Sequence, residues 1–273
     1  MIAFPNCKMN LGLHILGNRP DGFHNLETIF YPINLKDALE INLSDNGFSF
    51  HQSGIRFADE QNNLCVKAYQ LLKKDFPNTP DVSIHLLKAI PVGAGLGGGS
   101  ADAAFTLLLL NKKFNIGLTE DQLMRYALLL GSDCPFFILN EPCYATGRGE
   151  VLKKINVDLH GFTILLVNPG IVVSTAEAFA KITPMLPKRS LNDIISSPIN
   201  EWKYALKNDF ESSVFIKHPE ISTIKDHMYN SGAVYASMTG TGSTVFALFH
   251  NEEPLPVWDN NYMVRVLKGN KFK

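Results

Sequence analysis

The sequence is short of the features that mark several protein classes. Its 273 residues hold four cysteines, Cys7, Cys65, Cys134 and Cys143, widely separated and without a CxxC pair. That spacing excludes a disulfide framework or zinc ribbon and reads as reduced thiols in or near the core of a cytoplasmic protein. The N-terminus lacks a basic start followed by a sustained apolar stretch, so no signal peptide is expected. The longer apolar runs, such as 107–110 and 164–167, fall far short of the ~20 residues of a membrane span. No charge run or basic stripe stands out, with 25 Lys and Arg against 26 Asp and Glu and a net charge of -1. A nucleic-acid partner is therefore not expected. Near-neutrality has a second consequence, because any polyanionic ligand must be held by local dipoles and single cations. Internal repeats and low-complexity segments are absent as well.

What is present suits an ordinary folded core, with 45% hydrophobic and 19% charged residues. The length calls for one large or two modest domains. The cluster Gly17-Asn18-Arg19-Pro20-Asp21-Gly22 marks a turn, with strands expected at 27–31 and 38–43. Leu64, Ala68, Leu71 and Leu72 have helical spacing, and Val82, Ile84 and Leu86 alternate as in a half-buried strand. A buried helix is expected over 101–110. Thr119 followed by Gln122 is a capping box, and Gly131 closes the helix that it opens. Gly147-Arg148-Gly149 reads as a hairpin turn, and strands are expected at 162–167, 235–238 and 244–249. A boundary near residue 150 divides the chain into two α+β halves, 1–150 and 151–273.

Between Pro91 and Ser100 stand five glycines, Gly93, Gly95, Gly97, Gly98 and Gly99. Glycine permits positive φ and close approach of backbone N–H groups to a ligand, and a helix N-terminus attracts anions. Ser100 falls where an N-cap would, with a hydroxyl for the helix backbone or for a phosphate. A Walker A loop needs a terminal Gly-Lys-Ser/Thr, and this loop has no lysine. Gly93-x-Gly95-x-x-Gly98 fits the dinucleotide pattern literally, but that unit needs an acid about 20 residues on at a strand end. Glu120 and Asp121 open a capped helix instead. A merely flexible turn has little use for five glycines between a strand and a helix.

Pro91-Val92-Gly93-Ala94-Gly95-Leu96-Gly97-Gly98-Gly99-Ser100-Ala101 resembles the phosphate loop of the galactokinase, homoserine kinase, mevalonate kinase and phosphomevalonate kinase (GHMP) superfamily. Lys8-Met9-Asn10-Leu11, Arg19-Pro20-Asp21-Gly22-Phe23-His24 and Gly131-Ser132-Asp133-Cys134-Pro135-Phe136-Phe137 are similar to its branch acting on 4-diphosphocytidyl-2-C-methylerythritol. Ala145-Thr146-Gly147-Arg148-Gly149-Glu150, Pro187-Lys188-Arg189-Ser190 and Met238-Thr239-Gly240-Thr241-Gly242-Ser243 continue the likeness along nearly the whole chain. The resemblance implies a two-domain α+β kinase, with ATP on the N-terminal domain and acceptor in the cleft. The implied reaction is phosphorylation of the acceptor's 2-hydroxyl, a step of non-mevalonate isoprenoid synthesis. A sister kinase acting on homoserine or mevalonate, or an inactive ligand-binding relative, are the alternatives. A monomer or weak homodimer is expected.

The resemblance also distributes roles. Pro91, Gly93, Gly95, Leu96, Gly97, Gly98, Gly99, Ser100 and Ala101 are expected to hold ATP, with Mg²⁺ arriving as MgATP and no dedicated metal cage. Asp133 is the expected base, set before a buried Pro-Phe-Phe run where a carboxylate serves no solubility purpose. A turn or capping aspartate is the plainer reading. Lys8, in an apolar opening segment, needs a partner and is expected to pair with Asp133. An edge-strand lysine facing water is the plainer reading. Asn10 shares the face of Lys8 and is expected to meet the acceptor diol. Phe23 and His24 match the cytosine-reading pair, with Phe23 in place of the usual tyrosine, so stacking survives and a phenol hydrogen bond is lost. Phe179 matches the second stacking ring, although the core face of a helix would also explain it. Thr175, Gly240, Thr241 and Gly242 complete the expected substrate contacts. Asp102, in the first turn behind the loop, needs a cation or capping bond beside bound phosphates, and magnesium on ATP is one such cation.

Overall fold

The alternation at 82–88 is realised in a computed structural model, which describes residues 1–55, 62–258 and 261–270. The chain opens with β1 (Ile2–Ala3), the long strands β2 (Asn6–Asn18) and β3 (His24–Lys36), then β4 (Ala38–Leu43) and β5 (Ser49–Gly54). Helix α1 (Leu64–Asp75), strand β6 (Val82–Lys88) and helices α2 (Gly98–Lys113), α3 (Glu120–Leu130) and α4 (Cys134–Leu139) follow. Next come the hairpin β7 (Cys143–Thr146) and β8 (Val151–Lys154), then β9 (Phe162–Asn168). Short helices α5 (Thr175–Ala180), α6 (Leu191–Ile194), α7 (Ile199–Ala205) and α8 (Glu211–Lys217) lead to α9 (Pro219–Asn230). Strands β10 (Tyr235–Met238), β11 (Val245–His250) and β12 (Met263–Lys268) complete an α+β architecture.

The chain divides into two compact units that interleave along the sequence. The first comprises Met1–Cys7, Leu35–Val92 and Gly97–Glu141; the second comprises Lys8–Asn34, Gly93–Leu96 and Pro142–Lys273. The division expected from sequence is a single boundary near residue 150.

In the first unit the sheet order is β1-β4-β6-β5, with β5 parallel to β6 and the other pairs antiparallel. Leu39, Ile41, Val82, Ile84 and Leu86 point into the core, while Glu40, His85 and Leu87 face outward, as period-two alternation requires. Helix α2 is buried nearly all round, through Ala101, Ala103, Ala104, Leu107 and Leu110. Its many alanines let α1, α3 and α4 pack closely upon it. The capping box of Thr119 and Gln122 opens α3, and the N–H of Gly131 ends it on Ala127. All four cysteines are buried and outside any disulfide.

In the second unit β2, β3, β7 and β8 form one sheet and β10, β11, β9 and β12 another. Strand β9, at the interior of its sheet, is buried from Thr163 to Asn168, which explains its unbroken apolar run. Its core joins Leu165, Val167, Met238, Val245 and Phe249 to Phe210, Val214, Ile221, Ile224 and Met228 from the helices. Among the described residues no helix is long and apolar enough to cross a membrane.

Candidate active site

The glycine-rich segment is shared between the units, 93–96 with the second and 97–101 with the first. The expected Ser100 cap lies three residues too far along. The helix is capped by Gly97, whose φ of 70° turns the chain directly into α2, and Ala101 N–H closes the first turn on Gly97 O at 2.9 Å. Gly98 and Gly99 form the first turn, and Ser100 is its third residue. A Cβ on Gly98 would lie 2.8 Å from Ile90 Cγ2 and 3.2 Å from Lys88 Nζ, so this glycine is required by packing. Gly99 is exposed, lacks a positive φ, and would meet only Leu64 Cδ1 at 3.8 Å. Bare N–H groups at an uncovered helix N-terminus are what an anion needs. Pro91 is half-buried and Ala101 buried.

Ser100 is half-buried in the first turn of α2. It neighbours the buried Cys134 thiol, whose pKa burial pushes up to about 12. Cys134 is the first residue of α4, and Asp133 stands at that helix's N-cap. The Asp133 side chain makes no cap bond to α4, so the plainer reading of a capping aspartate fails. Ser100 and Asp133 belong to the same unit, with Gly131 tucked 3.3 Å from the Cys134 sulfur at its Cβ position.

Asp102 is met by a cation that the sequence reading did not single out. Lys88 Nζ lies 2.8 Å from Asp102 Oδ2 and 2.5 Å from Asp37 Oδ2, all three side chains being buried. Asp37 Oδ1 accepts the N–H groups of Ala89 and Ile90 at 2.6 and 2.9 Å. A protein ammonium thus stands where magnesium was one possible answer. Burial pushes the Asp102 carboxyl up to about 7, with Lys88 opposing and Asp37 adding to the rise. A lysine at the end of an alternating strand was the available signal, since its inward position puts a charge in the core.

In the second unit Lys8 is 3% exposed, which removes the water-facing reading. Its Nζ donates to Asn10 Oδ1 at 2.6 Å and Gly95 O at 3.0 Å, and lies 5.2 Å from the centre of the Phe30 ring. Asn10 shares its face, as β2 alternation demands, and donates from Nδ2 to Thr28 Oγ1 at 2.8 Å. Thr239 Oγ1 is within reach of Asn10 Oδ1 at 3.1 Å and Gly95 O at 3.0 Å. Lys8 and Asp133 belong to different units.

Gly95 has a φ of 76°, and a Cβ there would overlap the Thr239 carbonyl. A Cβ on Gly240 would stand 3.1 Å from Gly95 Cα, so the two glycine loops touch backbone to backbone. Leu96 is buried, and its carbonyl receives the Lys8 N–H at 3.0 Å. Gly93, with φ 65°, is exposed. Asn208, not foreseen from sequence, donates from Nδ2 to the carbonyls of Met238 and Gly240, each at 2.8 Å. The 239–243 segment thus joins the antiparallel strands β10 and β11, as expected, in a loop clamped by Asn208. Thr241 Oγ1 lies 3.4 Å from Thr175 Oγ1, and Gly242 is buried with φ 92°.

The aromatic residues gather in the same unit. His24 stacks on Phe179, ring centres 4.7 Å apart and planes inclined by 28°. Phe179 also meets Phe210 edge-on at 4.8 Å, so it is at once part of the core and available on its other side. Phe23 is 49% exposed, with the Arg148 guanidinium 4.4 Å over its ring. Arg148 is a further unforeseen neighbour, brought there by the 147–149 hairpin. Beneath this rim Glu27 is buried, receiving Tyr144 Oη at 2.5 Å, His14 Nδ1 at 3.0 Å and Leu191 N–H at 3.1 Å.

Among the described residues no group of three or more His, Cys, Asp or Glu side chains is placed to hold a metal. Comparison with known proteins adds to this geometry. Residues 63–141 match the family model for the GHMP kinases N terminal domain, and 193–257 that for GHMP kinases C terminal. A 4-diphosphocytidyl-2-C-methyl-D-erythritol kinase from Bacteroides thetaiotaomicron is 54% identical, covering 98% of this chain and 99% of its own. One from Cytophaga hutchinsonii is 47% identical over 92% and 93%. A solved 4-(cytidine 5'-diphospho)-2C-methyl-D-erythritol kinase superposes with a TM-score of 0.80 at 28% identity, covering 99% of this chain and 100% of that one.

Proposed function

We propose, for a chain that belongs to the GHMP kinases and within them to the 4-diphosphocytidyl-2-C-methyl-D-erythritol kinases, transfer of the ATP γ-phosphoryl group to that cytidylated acceptor's 2-hydroxyl. The chain is a small-molecule kinase that uses ATP. The observation carrying the mechanism is the left-handed Gly97 that opens α2 with Gly98, Gly99 and Ser100 in its first turn, in the same compact unit as the Asp133 segment that opens α4.

In the proposed step the acceptor oxygen forms a bond to the γ-phosphorus, the bond from that phosphorus to the β,γ-bridging oxygen breaks, and ADP leaves. The acceptor proton passes to Asp133 and then to solvent. Gly97, Gly98 and Gly99 present backbone N–H groups to the phosphates, with Pro91, Gly93, Gly95, Leu96 and Ala101 shaping the cradle. Lys8 supplies a fixed positive charge for the transferring oxygens, and Asn10 takes the acceptor diol. Phe23, His24 and Phe179 form the stacking surface for cytosine, and Thr175, Gly240, Thr241 and Gly242 line the rest of the acceptor's path. Magnesium fits as a passenger on ATP, since the loop offers the Ser100 hydroxyl rather than a carboxylate cage. Bound there it would neutralise charge on the phosphate oxygens.

ADP release against the cytidylated methylerythritol, homoserine and mevalonate tests the assignment. Turnover with the first alone is expected, and turnover only with either of the others overturns it. Asp133→Asn should lower kcat by about 10²–10⁴-fold while ATP affinity stays within about threefold. An unchanged kcat removes Asp133 from the role of base.

A further inference from the structure

The polar side chains buried around Lys8 form a chain of hydrogen bonds whose donors and acceptors dictate one another's direction. Thr28 Oγ1, on β3, lies 2.6 Å from the Gly12 carbonyl of β2. A carbonyl can only accept, so the one hydroxyl proton of Thr28 points at Gly12 and its oxygen is left to accept. Asn10 Nδ2, 2.8 Å away, is the donor that meets it. At the other end of the same amide stands the Lys8 ammonium, which can only donate, 2.6 Å from Asn10 Oδ1. Lys8, Asn10, Gly12 and Thr28 lie in one compact unit, and the three side chains are buried.

Turning the Asn10 amide over would break this chain twice. Its nitrogen would face the Lys8 ammonium, donor against donor, and its oxygen would face the lone pairs of Thr28. Buried polar atoms left without partners are costly, so one amide orientation is admitted and oxygen stays beside the ammonium. Thr239 also touches the network. Its Oγ1 receives the Asn10 backbone N–H at 3.1 Å and has one proton to give, to Asn10 Oδ1 at 3.1 Å or to Gly95 O at 3.0 Å. A hydroxyl with that choice can face either end of an amide. Thr28, with its proton committed to Gly12, cannot, and it is Thr28 that sets the orientation.

We infer that Thr28 is a positioning residue for phosphoryl transfer, acting through Asn10 to fix the Lys8 ammonium, an inference resting on the reading of Lys8 as the charge for the transferring oxygens. A lysine side chain is long and rich in rotamers, and Asn10 Oδ1 and Gly95 O define where this one points. With the amide reversed, only Gly95 O of those two remains, and the ammonium is pushed away from the nitrogen that replaces Oδ1. Misplacing a catalytic group by about 1 Å lowers a rate by on the order of 10²-fold. Thr28 is itself buried against Asn10 and Gly12, so the loss falls on kcat rather than on either KM.

The test is steady-state kinetics on Thr28→Val, which keeps the shape and loses the hydroxyl, and on Thr28→Ser, which keeps the hydroxyl, with Thr28→Val repeated in a Lys8→Met background. Thr28→Val should lower kcat about 10- to 100-fold, with the KM for ATP and for the cytidylated acceptor within about threefold of wild type. Thr28→Ser should return kcat to within about threefold of wild type. Lys8→Met should itself be slower by about 10²-fold. Adding Thr28→Val to it should cost less than about threefold more, because the group through which Thr28 acts is gone. A Thr28→Val enzyme as fast as wild type, or slowed equally with and without Lys8, overturns the inference alone. A Lys8→Met enzyme with wild-type kcat overturns the reading of Lys8 and this inference with it. Should Thr28→Val not fold, nuclear Overhauser contacts of the Asn10 Nδ2 protons in wild type and Thr28→Ser decide instead. Contacts to residue 28 support the inference, and contacts to the Lys8 ε-methylene in their place overturn it.

Discussion

Gly95 and Gly99 stand four residues apart in one loop, but a side chain would meet very different surroundings at the two. At Gly95 the backbone is left-handed and the Thr239 carbonyl fills the space where a Cβ would go. At Gly99 the φ is ordinary and the nearest atom is at van der Waals distance. The first glycine is explained by the protein's own packing. The second is not explained by packing, which accords with the proposed approach of a phosphate to the backbone there. A run of glycines is therefore not one feature, and the residues left over once packing is satisfied are the ones that point to a ligand.

The largest expected effect comes from breaking the packed side. Gly95→Ala should destabilise the protein by at least ~3 kcal/mol, through steric overlap and backbone strain together, and a thermal melt reads this directly. Gly99→Ala should leave the melting midpoint within about 0.5 kcal/mol of wild type while raising the KM for ATP about tenfold. If Gly99→Ala melts early with an unchanged KM, the contrast between the two positions is lost.

The same contrast applies to the aromatic rim and the carboxylate beneath it. Phe23→Ala removes an exposed ring and should raise the acceptor KM by about five- to tenfold, as loss of one stacking partner would, with the KM for ATP unchanged. Glu27 belongs to the packed side. Burial alone would raise its carboxyl, but bonds from His14, Tyr144 and the Leu191 N–H outweigh it and hold the group below the ordinary carboxylate value. A lowered folded value means that the stabilisation is complete above the unfolded pKa of about 4.3 and is lost as pH falls through the folded one. The midpoint difference between wild type and Glu27→Gln should accordingly be constant from about pH 5 to 7 and close below about pH 4.

Local pattern was a good guide wherever a residue's environment is set by its chain neighbours. The capping box at Thr119, the alternation of β6 and the hairpin at Gly147-Arg148-Gly149 all appear as their spacing requires. The helix start was misjudged because Ser100 has the better cap chemistry, whereas the left-handed Gly97 had the conformation that the turn needed. Lys88, Asp37, Asn208 and Arg148 were not foreseen. Asp37 is 51 residues from Lys88 and Asn208 is 32 from Gly240, so no local window contains both members of either pair.

By itself the sequence determined that five glycines lie between a strand and a helix, and that Lys8, Asp133 and the Phe23-His24 pair accompany them in a kinase pattern. The elements and the chemical class follow from this, because period, turn chemistry and helix-end dipoles are properties of short segments. Only the tertiary structure decided which glycine is packed and which is bare. It alone set a lysine against Asp102 and a serine against Cys134. Those decisions depend on which distant backbone arrives within a few ångströms, and burial then turns that proximity into charge pairing and displaced protons.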